Sequence, residues 1–217
     1  MKDIKLILFD VDLTLIYGEK ANLLYKEYSK ILENTLAKCL QVSQSEGKQI
    51  ADQHREMYNG QGEKAFLTQG IGIDKWYDAL IDLAPEKYLE PLPKTMEVLQ
   101  ALKEKGLLVG VITDGPRKLA EKILFATKIN SDLFDLFYAW EKNEAMPKGG
   151  LSDIYKKVCS DFKLEPHEVM MVGDSLGSDV LPAIATGLRA VHITDMENNH
   201  NNKYITLKNI EELSKII

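Results

Sequence analysis

Five short, almost unbroken apolar runs mark this chain: Ile4–Phe9, Leu107–Thr113, Leu136–Trp140, Val169–Gly173 and Arg189–Ile193. Runs of this kind, without polar alternation, predict strands of a parallel sheet covered on both faces. Helical spacing fills the intervals after the second core element begins. Lys94–Lys105 follows Pro93 at a plausible first helical position and stops at Gly106. Pro116–Lys128, Ser152–Phe162 and Leu176–Thr186, the last closed by Gly187, read as helices in the same connecting role. The alternation predicts an α/β fold, a doubly wound parallel five-stranded sheet.

One stretch breaks the rhythm. Between Tyr17 and Pro91 no strand-like run occurs, and amphipathic helices are predicted over Asn22–Leu40, Ser43–Tyr58 and Asp74–Leu83. In the first of these, Leu24, Tyr28, Ile31, Leu32, Thr35 and Leu36 share a helical face. That is more helix than a crossover needs. The expected organisation is therefore a small all-helical domain over residues 17–91, inserted after the first strand of a core made of 1–16 and 92–217. Pro91 and Pro93 punctuate the return to the core. The polar tract Glu197–Lys203 is expected as a loop, and Lys208–Ile217 as a terminal helix.

Composition narrows the class without naming an activity. With 45% apolar and 28% charged residues, the chain has the balance of a globular protein able to bury a core. A net charge of −6 without a basic stripe argues against nucleic acid as a partner. No window approaches the ~20 apolar residues of a membrane span, and the acidic start does not resemble a signal peptide. Cys39 and Cys159, far apart and outside any metal-ligand spacing, read as free thiols of a reducing cytoplasm. A small anionic ligand and a monomer or homodimer are expected.

The sharpest chemistry lies where the first strand ends, in Leu6-Ile7-Leu8-Phe9-Asp10-Val11-Asp12-Leu13-Thr14. Two carboxylates two residues apart reach the strand end where open α/β sheets bind ligands. Their repulsion calls for a cation or a shared proton. Mg²⁺ meets the first need, because it binds through one or two carboxylates together with substrate phosphate. An anionic Asp10 could attack phosphorus unaided, and Asp12 could then serve as acid and base. Helix capping or turn formation would also explain acids at this place.

Three later strand ends repeat the theme. Thr113-Asp114-Gly115 closes the second strand with a hydroxyl and a turn whose N–H groups, with a helix beginning near Pro116, could hold phosphate. Lys148, in Met146-Pro147-Lys148-Gly149-Gly150, could neutralise nucleophile and phosphoryl group, with Lys142 as its competitor. Gly173-Asp174 ends the fourth strand, and Asp179 follows five residues later. Asp174 could complete a metal site; Asp179 could hold a metal-bound water or orient Lys148. Simple capping would suit Asp179 better than Asp174.

These four segments, each at a strand end and in this order, resemble the haloacid dehalogenase-like (HAD) hydrolase superfamily, in its helical-cap phosphatase branch. The resemblance covers almost the whole chain and makes the helical insertion the family's small cap. It implies a Mg²⁺-dependent phosphatase of small phosphorylated metabolites working through an aspartyl phosphate. Asp10 would be nucleophile and metal ligand, and Asp12 acid/base and ligand through its backbone carbonyl. Thr113, Asp114 and Gly115 would bind phosphate together with Lys148, Asp174 would be the third protein ligand of the metal, and Asp179 would support them. Family dehalogenases lack the second Asp, since halide leaves without a proton, so Asp12 argues for phosphoryl chemistry. The chain departs from the common pattern at Leu13, where Gly is usual, at Asp114, where Asn is frequent, and at Gly149-Gly150, where Pro-rich sequence usually follows the lysine.

Rival functions are a phosphomutase or phosphotransferase using the same aspartyl phosphate, and a non-catalytic regulatory module on the same fold. His54 and Arg55 in the insertion are expected on a solvated helix face. His192 is expected to be structural. Tyr17 and Arg117 are the better candidates for substrate contact.

Overall fold

The central strand β1 (Leu6–Phe9) is fully buried, and successive side chains serve opposite cores. Ile7 and Phe9 join one apolar cluster, Leu6 and Leu8 the other. Each such side chain contributes roughly 1.5–3 kcal/mol of transfer free energy, so the strand that delivers Asp10 is also firmly anchored. The computed structural model describes residues 3–58, 61–149, 153–195 and 203–217.

Strands β2 (Leu108–Pro116), β3 (Leu136–Trp140), β4 (Val169–Gly173), β5 (Arg189–Ile193) and β6 (Ile205–Leu207) join β1 in one sheet of order β3-β2-β1-β4-β5-β6. Every neighbouring pair is parallel. The chain runs outward from β1 through β2 to β3, then returns to place β4 on the other side of β1. The switch point therefore falls between β1 and β4, where a crevice opens beyond the strand ends.

Helices α5 (Pro93–Glu104) and α6 (Arg117–Thr127) bring Leu99, Leu102, Leu119, Ile123 and Leu124 to the face of Ile7 and Phe9. Helices α7 (Asp153–Phe162) and α8 (Leu181–Thr186) bring Ile154, Tyr155, Val158 and Ala183 to the face of Leu6 and Leu8. Between β1 and α5 lie α1 (Glu19–Leu40), α2 (Gln44–Met57), α3 (Lys64–Thr68) and α4 (Asp74–Ile81). They hold a third, smaller cluster of Leu32, Leu36, Ala51, Ala65 and Phe66. Ser43 starts α2 with a reciprocal capping box to Glu46. Gly47 permits close packing of α2 on α1, since a Cβ there would come within 2.6 Å of the Glu33 carbonyl.

Several expectations need correction. The sheet has six strands, not five. Ile205–Leu207 is three residues long, and it is a strand because β5 offers a free edge, with Val191, His192 and Ile193 opposite Ile205, Thr206 and Leu207. The expected terminal helix Lys208–Ile217 is only a tight 3₁₀ run over Ile210–Lys215. The expected helix Leu176–Thr186 opens with a widened turn, Leu176–Val180, before α8. Helix α3 was not expected. Of the tract 197–203, all but Lys203 lies outside the described residues, as does Ser152 at the expected start of α7. Both cysteines are free thiols. Among the described residues, no helix is long and apolar enough to cross a membrane.

Candidate active site

Asp10 follows β1 directly, and both it and Asp12 keep extended backbone. Residues two apart on an extended chain share a face, so both carboxyls line the same cavity above the switch point. Leu13 then turns left-handed at φ 56°, ψ 11°, and the chain folds back so that the Ile16 N–H reaches the Val11 carbonyl at 3.1 Å. A left-handed leucine costs about 1–2 kcal/mol, which explains why glycine is the easier residue here. Its side chain packs against the main core, offsetting part of that cost.

Lys148 is the electrostatic centre. Its ammonium is buried, donating to Asp10 Oδ1 at 2.8 Å and to Asp179 Oδ1 at 2.7 Å. Burial opposes this charge, but Asp10, Asp179 and Asp114 overcome it and hold the lysine well above its ordinary pKa. Lys142, its competitor in the sequence, is half-exposed and paired with Asp78, away from Asp10.

Asp114 acquires a definite structural use: its Oδ1 accepts the Lys148 backbone N–H at 2.7 Å, tying the lysine loop to β2. Thr113 is buried, and its Oγ1 accepts the Gly115 N–H at 3.0 Å. The Gly115 N–H thus closes the turn on Thr113, while the Thr113 hydroxyl proton remains available for donation. Gly115 also leaves room for Asp12, whose Oδ2 lies 3.6 Å from where a Cβ would stand.

Asp174 ends β4 and lines the same cavity. His192 on β5 faces it, its Nε2 2.9 Å from the Asp174 carbonyl oxygen, so this histidine orders the strand end. Asp179 is fully buried and accepts the Ser175 N–H at Oδ2, 3.1 Å away. Gly173 is fixed by Asp179, since a Cβ would fall 2.3 Å from the Asp179 Oδ2. Tyr155 steadies the same turn by donating to the Asp179 and Ser178 carbonyls.

Asp10, Asp174 and Asp179 each present an oxygen within 4.8 Å of the others. One ammonium does not balance that crowding. Burial first, then the Asp10 charge, pushes Asp174 up to about 8. Burial and the charge of Asp10 likewise raise Asp12 to about 7. The Tyr28 hydroxyl, reaching in from α1, opposes the Asp12 shift but stops short of a hydrogen bond. Asp179 is raised by burial, with Lys148 pulling the other way.

The cavity measures about 720 Å³, and α1, α2, α4 and the turn into α3 contribute Tyr25, Tyr28, Arg55, Glu63 and Trp76 to its far side. None of these was expected at the site; Arg55, read as part of a solvated helix face, instead lines the cavity. Tyr28 and Trp76 carried only a helical apolar pattern, which gives no hint that these residues line a cavity. The expected contacts Tyr17 and Arg117 are elsewhere: Tyr17 donates to Glu211, and Arg117 pairs with Glu141 while donating to the Phe137 carbonyl. His54 is buried, not solvated, with Nδ1 on the Ile50 carbonyl and Nε2 on Thr68 Oγ1.

With this geometry in place, comparison with known proteins gives a consistent result. The family model described as haloacid dehalogenase-like hydrolase matches residues 7–193. The chain is 36% identical over 105 residues to the glyceraldehyde 3-phosphate phosphatase of Pyrococcus furiosus, covering 48% of this chain and 42% of that protein. It is 33% identical over 104 residues to the phosphoglycolate phosphatase of Mannheimia succiniciproducens, covering 47% and 44%. The chain thus spans less than half the length of these curated relatives in what it matches. Among solved structures, a HAD phosphatase from Thermococcus onnurineus shares the fold with a TM-score of 0.65 at 24% identity, over 98% of this chain and 97% of that one.

Proposed function

The chain belongs to the haloacid dehalogenase-like hydrolases, and on that premise we propose that it is a Mg²⁺-dependent phosphatase of small phosphomonoesters working through a phosphate ester on Asp10. The observation that carries this reading is the buried Lys148 ammonium bridging Asp10 and Asp179 beside a third carboxylate, Asp174. A lone structural ion pair needs no third acid, whereas a site for phosphate and a hard cation does.

The donor set fits that cation: all-oxygen, with Asp10 and Asp179 buried and Asp174 half-buried, and carrying more negative charge than Lys148 neutralises. Asp10 and Asp174 would hold it with their carboxylates and Asp12 with its backbone carbonyl, Asp179 acting through Lys148. When bound, Mg²⁺ supplies charge stabilisation to the phosphoryl oxygens.

The protein's own groups do the rest. Lys148 engages Oδ1 of Asp10, leaving Oδ2 to attack phosphorus in line with the departing oxygen. Asp12 donates its proton to that leaving oxygen, and as a carboxylate it then takes one from the water that hydrolyses the ester on Asp10. Thr113 donates its hydroxyl proton to a phosphoryl oxygen, and Lys148 balances the charge that develops.

Residues 17–91 are assigned as a cap over the core of 1–16 and 92–217, supported by the separate apolar cluster of α1, α2 and α3. Phosphate release from 4-nitrophenyl phosphate with Mg²⁺ tests the function. Wild-type turnover abolished by Asp10→Asn supports it; turnover that survives this substitution, or none from the wild type, refutes it.

A further inference from the structure

The acid and base duties assigned to Asp12 need its carboxyl held at one angle, with the reacting oxygen aimed into the cavity. Among the described residues, the side-chain donor directed at that carboxyl is the Tyr28 hydroxyl, which comes from α1 and not from the core strands. Tyr28 is 9% exposed, and its hydroxyl oxygen is buried without a hydrogen-bond partner. Its ring has little freedom. It belongs to the apolar cluster that holds Val11 and Leu15 from the turn after β1, Leu24 one helical turn earlier, and Leu80 of α4. The Tyr25 ring leans against it, with centroids 6.1 Å apart.

Packing does not account for the hydroxyl. A phenylalanine would fill the same apolar site, whereas a buried hydroxyl left unpaired costs about 1–3 kcal/mol. Buried polar atoms normally find partners. Here an uncompleted donor and an acid that needs orienting line the same cavity, and Gly115 leaves the Asp12 carboxyl room to turn.

We propose that Tyr28 is a positioning residue for Asp12: its hydroxyl donates to one carboxyl oxygen and leaves the other to exchange protons with the leaving group and water. The inference rests on the phosphatase reading and adds to it a residue of the helical insertion. A protonated carboxyl has one O–H and one carbonyl oxygen. With the carbonyl oxygen held by Tyr28, the O–H is turned toward the reacting ester. Its proton passes to the departing oxygen, and the same carboxyl oxygen later takes a proton from the attacking water, which restores the acid. Tyr28 keeps its own proton throughout, because burial and the Asp12 charge hold the phenol well above its ordinary pKa.

Tyr28→Phe keeps the ring and removes only the hydroxyl. Two esters separate proton donation from other effects. Glycerol 3-phosphate expels an alkoxide that must be protonated, while 4-nitrophenyl phosphate expels a stable phenolate. The expected result is a fall of about fivefold or more in the alkyl-to-aryl ratio of kcat/KM with Mg²⁺. No further fall is expected when Tyr28→Phe is added to Asp12→Ala, since the effect runs through Asp12. A merely structural role would lower both esters alike. Crystals of the wild type grown with Mg²⁺ and inorganic phosphate should place the Tyr28 hydroxyl oxygen about 2.5–3.0 Å from an Asp12 carboxyl oxygen.

A ratio untouched by Tyr28→Phe at a wild-type melting temperature, a further fall in the Asp12→Ala background, or a separation beyond hydrogen-bond reach in the crystals overturns the proposal. If Tyr28→Phe does not fold, or the alkyl ester is not turned over, the crystal distance decides. Absence of wild-type turnover on both esters would remove the phosphatase reading, while the same distance still tells whether Tyr28 holds Asp12.

Discussion

The Lys148 Nζ and the Asp179 Oδ1 lie 2.7 Å apart, both groups buried, and the same ammonium reaches Asp10 at 2.8 Å. Asp179 therefore holds the lysine from behind while Asp10 receives it at the cavity. Neither acid could be removed without leaving the ammonium half-paired, and the lysine could not be removed without stranding two carboxylates.

Lys148→Ala is accordingly expected to destabilise the metal-free protein by about 3–5 kcal/mol, the cost of leaving buried charge uncompensated. Lys148→Arg is expected not to restore activity, because a planar fork does not replace a point charge held between two carboxylates. Denaturant titration and phosphate-release rates check the two parts. A Lys148→Ala midpoint equal to wild type would contradict the first.

Metal-free stability is expected to fall as pH rises from about 5.5 to about 8.5. Asp12 and Asp174 have folded pKa values of about 7 and about 8, above the ~3.9 of an unfolded chain. The folded state thus binds more protons in this window; its advantage is complete below the unfolded value and is lost as pH passes through the folded values. Each kcal/mol moves the melting temperature of a chain this size by roughly 2–4 °C. Scanning calorimetry in chelator should show the decline, and added Mg²⁺ should raise the melting temperature more at the alkaline end. A profile rising with pH across the window would count against the crowded-carboxylate picture.

Gly173→Ala is expected to lower activity at least about tenfold and stability by about 1–3 kcal/mol. Its Cβ would collide with Asp179 at 2.3 Å from Oδ2, displacing the group that holds Lys148. Gly177→Ala, whose Cβ would meet nothing within 4 Å, should change stability by far less. Comparable melting temperatures for the two variants would refute the steric argument.

Leu13→Ile keeps side-chain volume but adds β-branching to a residue at φ 56°. A loss of about 1–2 kcal/mol is expected, since left-handed backbone is least tolerated by branched side chains. Chemical denaturation of the two proteins decides it; unchanged stability would mean that the turn relaxes.

Much of this site was legible along the chain because each key group closes a strand. Asp10 and Asp12 after β1, Thr113 near the end of β2, and Asp174 after β4 all follow apolar runs whose continuity identifies a parallel sheet, and parallel sheets present ligands at those ends. Lys148 was ambiguous for the opposite reason. It sits in a loop, where neither periodicity nor neighbouring residues distinguish it from Lys142. Only the sheet, by placing Asp10 and Asp179 on either side of one point in space, separates the buried lysine from the one paired with Asp78 on the surface.

Local order thus determined the α/β alternation, the helical insertion, and the carboxylates at the strand ends, because burial period and strand-end position are properties of neighbouring residues. Tertiary structure alone decided the sixth strand, the burial of His54, the retreat of Tyr17 and Arg117 into other contacts, and the facing of Tyr28, Glu63 and Trp76 onto one cavity. Each of these depends on groups distant along the chain meeting in space. A strand edge, a buried partner or a cavity wall exists only once the elements have packed.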